Sequence, residues 1–354
     1  MILVNGRFLS QRMTGVHRYA YEICCALHER GVNLLVLAPD TIQQQYNCPF
    51  RIKQIGGKGS HWWEQVTLAR YVRKHYNGHR LLTLTGLSPI AYKHNVLTIH
   101  DVSFLVEPKW FSRSYYLFYK FLTPLAAKQA EQIITVSNFS RSELMKYLQL
   151  PAEKIRVVYN GVRSELMATN KEEIPKHPYL LSVCSMDPRK NLKKLLDAYL
   201  QSGITIPIYL VGGTYSVFAH EEMQHYRNKN NIIFLGYVPD ERLASLYKNA
   251  LAFVNASLYE GFGTPNIEAM QQRCPLVISS IPVYHEICQG AALFFNPNNV
   301  YSIRNALVRI VNDEALRLKL VEAGNEVWPR YNWSESAKQI KCIYEGEVQN
   351  SICR

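Results

Sequence analysis

Residues 257–270 read Ser257-Leu258-Tyr259-Glu260-Gly261-Phe262-Gly263-Thr264-Pro265-Asn266-Ile267-Glu268-Ala269-Met270. The segment follows an apolar run, Leu251 to Ala256, and precedes a stretch whose apolar residues fall at helical intervals. Thr264 is a good N-cap, and Pro265 suits the first helical position, where its missing N–H is no loss, so a helix is expected to start there. Gly261 and Gly263 then form a loop over a helix N-terminus, whose free N–H groups and positive dipole end attract phosphate or sugar oxygens. Glu260 lies in the loop and Glu268 one turn into the helix, so the two carboxylates do not form a helix-face pair. They are placed to grip different parts of one ligand.

The same alternation extends along the chain. Short β-branched runs recur at Val32–Ala38, Val96–His100, Gln132–Ser137, Ile155–Tyr159, Tyr179–Cys184, Ile206–Val211, Asn231–Leu235, Leu251–Ala256, Pro275–Ser279 and Ala291–Phe295. Helical periodicity fills most of the gaps, at His17–Arg30, Ser112–Gln129, Phe139–Leu148, Leu192–Gln201, Glu241–Asn249 and Val300–Asn312. Apolar strands alternating with helices mean an α/β class, with parallel sheets built from βαβ units. A polar stretch with Lys171-Glu172-Glu173 and two prolines interrupts the pattern, which restarts at Tyr179. Two doubly wound domains, 1–170 and 171–330, are therefore expected, followed by a tail 331–354 with helical periodicity. Such domains carry ligands at the carboxyl ends of their strands.

Composition narrows the classes. With 354 residues, 47% hydrophobic and 19% charged, the chain is long enough for two cores and too apolar for disorder. Its longest uncharged stretch, Ala198 to His220, is broken by Pro207 and Gly212-Gly213 and does not read as a membrane span. Met1-Ile2-Leu3-Val4 turns polar at once, without the basic lead of a signal peptide. Eight cysteines lie scattered with no C-x-x-C pair, which reads as reduced core residues of a cytoplasmic protein. Lys and Arg number 22 against 12 Asp and Glu in residues 1–175, and 18 against 16 in 176–354, so the halves carry +10 and +2. A basic half suits nucleic acid, an anionic membrane surface or phosphorylated substrates. No recognition helix, zinc finger or RNP-like motif is visible, which disfavours nucleic acid.

Three further motifs lie at strand ends. Arg189 and Lys190 follow the strand Tyr179–Cys184, where two cations could neutralise a phosphate leaving group. His100-Asp101 ends the strand beginning at Val96, and no third residue is spaced to make the pair a metal site. Thr14-Gly15 opens the first helix, where glycine admits a close ligand; the absence of G-x-G-x-x-G disfavours a dinucleotide.

Glu260 and Glu268, eight residues apart, with Gly261-Phe262-Gly263 and Glu268-Ala269-Met270 around them, resemble the E-x7-E signature of family 4 glycosyltransferases. Thr14-Gly15, His100-Asp101, Val158-Tyr159-Asn160-Gly161-Val162 and Pro188-Arg189-Lys190-Asn191 follow that family's order, so the resemblance covers most of the chain. It implies the GT-B fold of two Rossmann-like domains, retaining chemistry, and no metal or other cofactor. It further implies that Glu268 accepts hydrogen bonds from ribose hydroxyls and that Glu260 meets the transferred sugar. Backbone N–H groups of Gly261, Phe262, Gly263 and Thr264 would hold sugar and phosphate oxygens, and His100 would lie against the donor sugar, with Asp101 and Gly15 on the donor side. Arg189 and Lys190 would face the diphosphate. One departure stands out: many members carry a Gly-Arg pair after the strand where this chain has Cys184-Ser185. A non-catalytic module binding a sugar nucleotide or a partner is the alternative.

The segment Lys109-Trp110-Phe111-Ser112-Arg113-Ser114-Tyr115-Tyr116-Leu117-Phe118-Tyr119-Lys120-Phe121 mixes rings with cations, as does His61-Trp62-Trp63 followed by Arg70, Arg73 and Lys74, and this suits the headgroup region of a membrane. The expected partners are a nucleotide-sugar donor, with GDP-mannose ahead of UDP- or dTDP-sugars, and a lipid-linked oligosaccharide acceptor at the inner face of the cytoplasmic membrane. By the same resemblance, the tail helix is expected to return to the N-terminal domain.

Overall fold

The computed structural model describes residues 1–162, 175–213 and 218–347. The chain divides into two units, one formed by Met1–Gly161 and the chain from Asn332 onward, the other by Val162–Tyr331. The boundary expected between residues 170 and 171 lies outside the described residues.

The first unit holds seven strands: β1 (Ile2–Asn5), β2 (Leu34–Ala38), β3 (Arg51–Gln54), β4 (Leu81–Thr83), β5 (Asn95–Thr98), β6 (Gln132–Thr135) and β7 (Ile155–Val157). They form one sheet in the order β3-β2-β1-β4-β5-β6-β7, and every pairing is parallel. β1 and β2 are buried throughout, as expected of central strands covered on both faces. Around the sheet, Leu3, Leu35, Leu37, Trp63 and Val72 form one apolar cluster, and Leu97, Ala126, Ile133 and Leu144 belong to another.

The second unit holds β8 (Leu180–Val183), β9 (Ile208–Val211), β10 (Ile232–Gly236), β11 (Ala252–Asn255), β12 (Leu276–Ser279) and β13 (Ala292–Phe295). Their order is β10-β9-β8-β11-β12-β13, again all parallel. Leu180, Leu196, Ile208, Val254 and Leu307 sit in its core. Both units are thus doubly wound α/β layers, and each sheet reverses its strand order once, between β1 and β4 and between β8 and β11.

Three strands, β1, β3 and β4, carry no mark in the periodicity. β1 and β4 are four and three residues long, and β3 is a mostly exposed edge strand of sequence Arg-Ile-Lys-Gln, without the apolar alternation that identifies a half-buried strand.

The tail forms the helix Trp333–Glu345, which packs on the helix Gly15–Glu29 of the first unit. A Cβ on Gly161 would lie 2.3 Å from the backbone nitrogen of Trp333, so only glycine lets the departing and returning segments run this close. No helix among the described residues is long and apolar enough to cross a membrane. The described cysteines are all free thiols.

Candidate active site

In the second unit the chain leaves β8 into the single turn Pro188–Lys190 before the helix Leu192–Gln201. Asp187 caps that turn, its Oδ1 accepting the Arg189 N–H at 2.9 Å. The loop after β11 is tied to the same turn, because the Leu258 N–H donates to the Arg189 carbonyl at 2.8 Å. The two loops flank the point where strand order reverses, the usual ligand position in an open α/β sheet.

There Lys190 Nζ forms an ion pair with Glu260 Oε1, with the side chains 17% and 12% exposed. Ser257 Oγ donates to the same oxygen at 2.9 Å, while the Ser257 N–H donates to Asn255 Oδ1 at 3.2 Å. Asn255 Nδ2 in turn donates to Asn266 Oδ1 at 3.0 Å, which joins the strand end to the following helix. Burial pushes the Glu260 carboxyl up, but the charges of Lys190 and Arg189 and the two hydrogen bonds outweigh it and hold the group below its ordinary value. Glu260 is therefore an ionised acceptor whose Oε1 is committed, and its Oε2 makes no hydrogen bond to a described residue.

The helix runs Thr264–Gln271, beginning one position earlier than a Thr264 N-cap would require. Gly263 is the N-cap, at φ +94°, and Thr264 is the first helical residue. A left-handed backbone is costly for a β-branched residue, and a Cβ at position 263 would lie 2.6 Å from Tyr284 Cε1. No side chain caps this helix, and the Asn266 N–H donates to the Gly263 carbonyl at 3.0 Å. Glu268 lies further along, where Tyr247, wholly buried, donates its hydroxyl to Glu268 Oε2 at 3.2 Å. Burial first, and the Glu268 carboxylate second, push the Tyr247 phenol far up, so it remains a donor. Phe262 is 3% exposed and meets Tyr331 edge-on at 5.6 Å, so its ring anchors the loop rather than facing solvent.

Cys184, where the usual glycine is missing, packs tightly: its carbonyl oxygen would lie 1.9 Å from a Cβ on Gly212. Arg189 Nη2 lies 3.8 Å from Asp187 Oδ2, so the guanidinium is held at the head of the same turn. A surface cavity of this unit, lined by His177, Leu251, Arg273 and Arg317 among others, lies at the amino ends of its strands, away from these residues.

In the first unit His100 and Asp101 follow β5. The Nε2 of His100 lies 3.0 Å from the Leu84 carbonyl, which can only accept, so the neutral ring keeps its proton on Nε2 and presents the Nδ1 lone pair. Tyr19 meets the ring edge-on at 4.6 Å. Burial lowers the histidine's affinity for a second proton more than the Leu84 carbonyl and Asp101 raise it. Asp101 Oδ1 accepts the Ser103 N–H at 2.9 Å, fixing the turn that follows. Gly15 begins the helix Gly15–Glu29, and a Cβ there would meet nothing within 4 Å, so packing does not demand a glycine.

Sequence reasoning passed over Ser257, Asn255 and Tyr247. Ser257 opens the loop stretch 257–270 and Asn255 ends the strand before it, so the two were findable as a polar pair at a buried strand end. Tyr247 lies inside an ordinary amphipathic helix and carried no signal.

The N-terminal half matches the model described as Glycosyltransferase Family 4 over residues 13–166, and the C-terminal half matches Glycosyl transferases group 1 over residues 166–327. The O-antigen chain mannosyltransferase RfbU of Salmonella typhimurium is 29% identical over 324 residues, spanning 87% of this chain and 90% of that protein. The O-antigen chain mannosyltransferase B of Escherichia coli is 29% identical over 272 residues, 73% and 71% of the two chains. Among solved structures, sucrose-phosphate synthase from Thermosynechococcus elongatus superposes with a TM-score of 0.77 at 20% identity, over 98% of each chain. WaaG, a glycosyltransferase involved in lipopolysaccharide biosynthesis, gives 0.77 at 15% identity, over 98% of this chain and all of that one.

Proposed function

The chain belongs to the family 4 glycosyltransferases, with the two Rossmann-like domains of the GT-B fold, and from that premise we propose that it moves a hexose from a nucleotide-sugar to a hydroxyl of a lipid-linked glycan in surface polysaccharide assembly. The mannosyltransferase names of its O-antigen relatives favour mannose as the sugar.

The observation that carries this reading is the Lys190–Glu260 pair on two tied loops at the strand reversal of the second sheet. Glu268, with Oε2 held by Tyr247, accepts from the ribose hydroxyls of the nucleotide. Glu260 accepts from a sugar hydroxyl through Oε2. Lys190 and Arg189 meet the diphosphate, whose charge grows as the glycosidic bond breaks, and the positive end of the helix Thr264–Gln271 adds to that field. His100 offers Nδ1 to a hydroxyl of the sugar substrate. The protein's part in this reading is placement and charge stabilisation, with protein cations meeting the diphosphate charge, so transfer proceeds without a metal ion. The leaving phosphate oxygen takes the acceptor's proton, and the new bond forms on the face the phosphate leaves.

At the periphery, the helix Arg113–Gln129 supports a membrane-facing role. Leu117, Phe121 and Leu125 recur every fourth residue and are 51%, 64% and 50% exposed, and the helix carries three cations and no carboxylate. Trp62 is 73% exposed, whereas its neighbour Trp63 is a core residue donating to the Gly56 carbonyl at 2.7 Å.

Product analysis tests the chemistry. Incubated in EDTA with the nucleotide-sugar it binds and a lipid-linked acceptor, the chain is expected to give a product with the donor's anomeric configuration. An inverted product, or transfer that returns only with added metal, would contradict it.

A further inference from the structure

At the carboxyl end of β1, where the first sheet reverses its order, lies a buried charged cluster with no place in the chemistry above. Glu64 is completely buried. Arg7 Nε lies 3.3 Å from its Oε2, Asn5 Nδ2 donates to its Oε1 at 2.6 Å, and His61 Nδ1 stands 3.6 Å from Oε2. A carboxylate removed from water needs such partners: the Asn5 amide hydrogen-bonds Oε1, while Oε2, with no hydrogen bond among the described residues, is balanced by the Arg7 charge.

Arg7 is less well satisfied. Its side chain is 7% exposed, yet its guanidinium pairs with Glu64 through Nε without a hydrogen bond, and neither Nη makes a hydrogen bond to a described residue. A planar fork of five N–H donors is thus clamped from behind, with its front donors unused, at the position where open α/β sheets take ligands.

A line of rings leads from this cluster to the surface. The His61 ring lies 4.7 Å from that of Phe118, and Tyr119 Oη lies 3.4 Å from His61 Nε2. Phe118 and Tyr119 sit on the helix whose outer stripe is Leu117, Phe121 and Leu125, and Trp62 adjoins His61. A ligand with an anionic group next to an apolar chain matches this run from buried guanidinium to exposed apolar stripe.

We propose that Arg7, oriented by Glu64, binds the diphosphate of an acceptor carried on a prenyl chain, while the Leu117, Phe121 and Leu125 stripe takes the chain. This rests on the reading of the acceptor as lipid-linked, and it assigns that acceptor's anionic group to a named side chain. Guanidinium and phosphate form two parallel charge-assisted hydrogen bonds, which lysine cannot reproduce.

The test is calorimetric titration of the full chain with geranyl diphosphate, inorganic diphosphate and geraniol, its donor site filled with a nucleoside diphosphate. Geranyl diphosphate is expected to bind more tightly than either other probe, and Arg7→Gln to weaken it by about tenfold or more while nucleoside diphosphate binding is kept. Arg7→Lys should recover only part of the loss. If inorganic diphosphate binds as tightly as the prenyl ester, the lipid source is wrong. If geraniol matches its diphosphate, or Arg7→Gln binds like the wild type, the assignment to Arg7 is overturned. Where Arg7→Gln lowers folding stability, the double variant Arg7→Gln with Glu64→Gln removes both buried charges together and carries the same comparison. Failure of every nucleoside diphosphate to bind would strike the donor reading alone, because the Arg7 comparison can be made without donor.

Discussion

Lys190 and Glu260 are each more than four-fifths buried, and Glu260 depends on the lysine's charge to remain ionised. Removing the cation by Lys190→Met leaves a carboxylate that burial disfavours, and stability at neutral pH is expected to fall by about 3 kcal/mol. The sign with pH follows from the direction of the shift. In the wild type, Glu260 ionises below its ordinary value of 4.5, so its stabilising contribution is present above that pH and is lost as pH falls through the folded value. In the variant the balance reverses: protonation relieves the carboxylate, so the gap in melting temperature between variant and wild type narrows as pH falls from 7.5 towards 4.5. A gap independent of pH would mean that Glu260 is not the partner at stake. At this scale the sequence was informative where chemistry is local. Glu260, Glu268, Arg189 and Lys190 were legible from one loop and one turn, whereas Tyr247 and Asn266 matter through partners that only the fold supplies.

The helix Thr264–Gln271 shows where local rules yield. Thr264 has the side chain of an N-cap, but Gly263 takes that position because Tyr284 fills the space a Cβ would need. Gly263→Ala therefore meets both a left-handed backbone and a buried ring. It is expected to destabilise the protein by roughly 1–3 kcal/mol and to weaken nucleotide binding, read by thermal melting with and without ligand. Unchanged melting would show that the loop can rearrange freely. Strand recognition failed in a related way. β1 is a central strand, yet it occupies only Ile2–Asn5, and four buried residues at a chain start carry no period to detect. β3 was invisible because an exposed edge need not be apolar. The longer buried runs, such as those containing β2, β9 and β12, were plain.

Across the whole molecule, the order of chain segments differs from the order of units. The helix Trp333–Glu345 belongs to the first unit, where Tyr344 Oη accepts the Leu3 N–H at 3.1 Å and donates to the Arg80 carbonyl, while Arg80 Nη1 donates to the Tyr344 carbonyl at 2.6 Å. Ser336 Oγ donates to the Tyr159 carbonyl at 2.7 Å, and Trp333 meets Tyr19 at 5.8 Å between ring centroids. Ending the chain after Tyr331 uncovers the helix Gly15–Glu29 and leaves the Leu3 N–H buried without its acceptor. The truncated chain is expected to lose several kcal/mol of stability and to accumulate in the insoluble fraction; a soluble, fully active truncation would contradict this. Helical periodicity made the tail element legible, while its destination came from resemblance, because no local signal states which unit a helix will cover.

The central claim is that the second unit binds a nucleotide-sugar through Glu268. A thermal-shift panel of GDP-, UDP- and dTDP-sugars on the full chain in EDTA, repeated with Glu268→Ala, tests it most directly, since a ligand that binds only the folded state raises the melting temperature. One nucleotide class should stabilise the wild type by several degrees at saturating concentration and leave the variant nearly unmoved. Equal stabilisation of both proteins, or of neither by any nucleotide, would contradict the account.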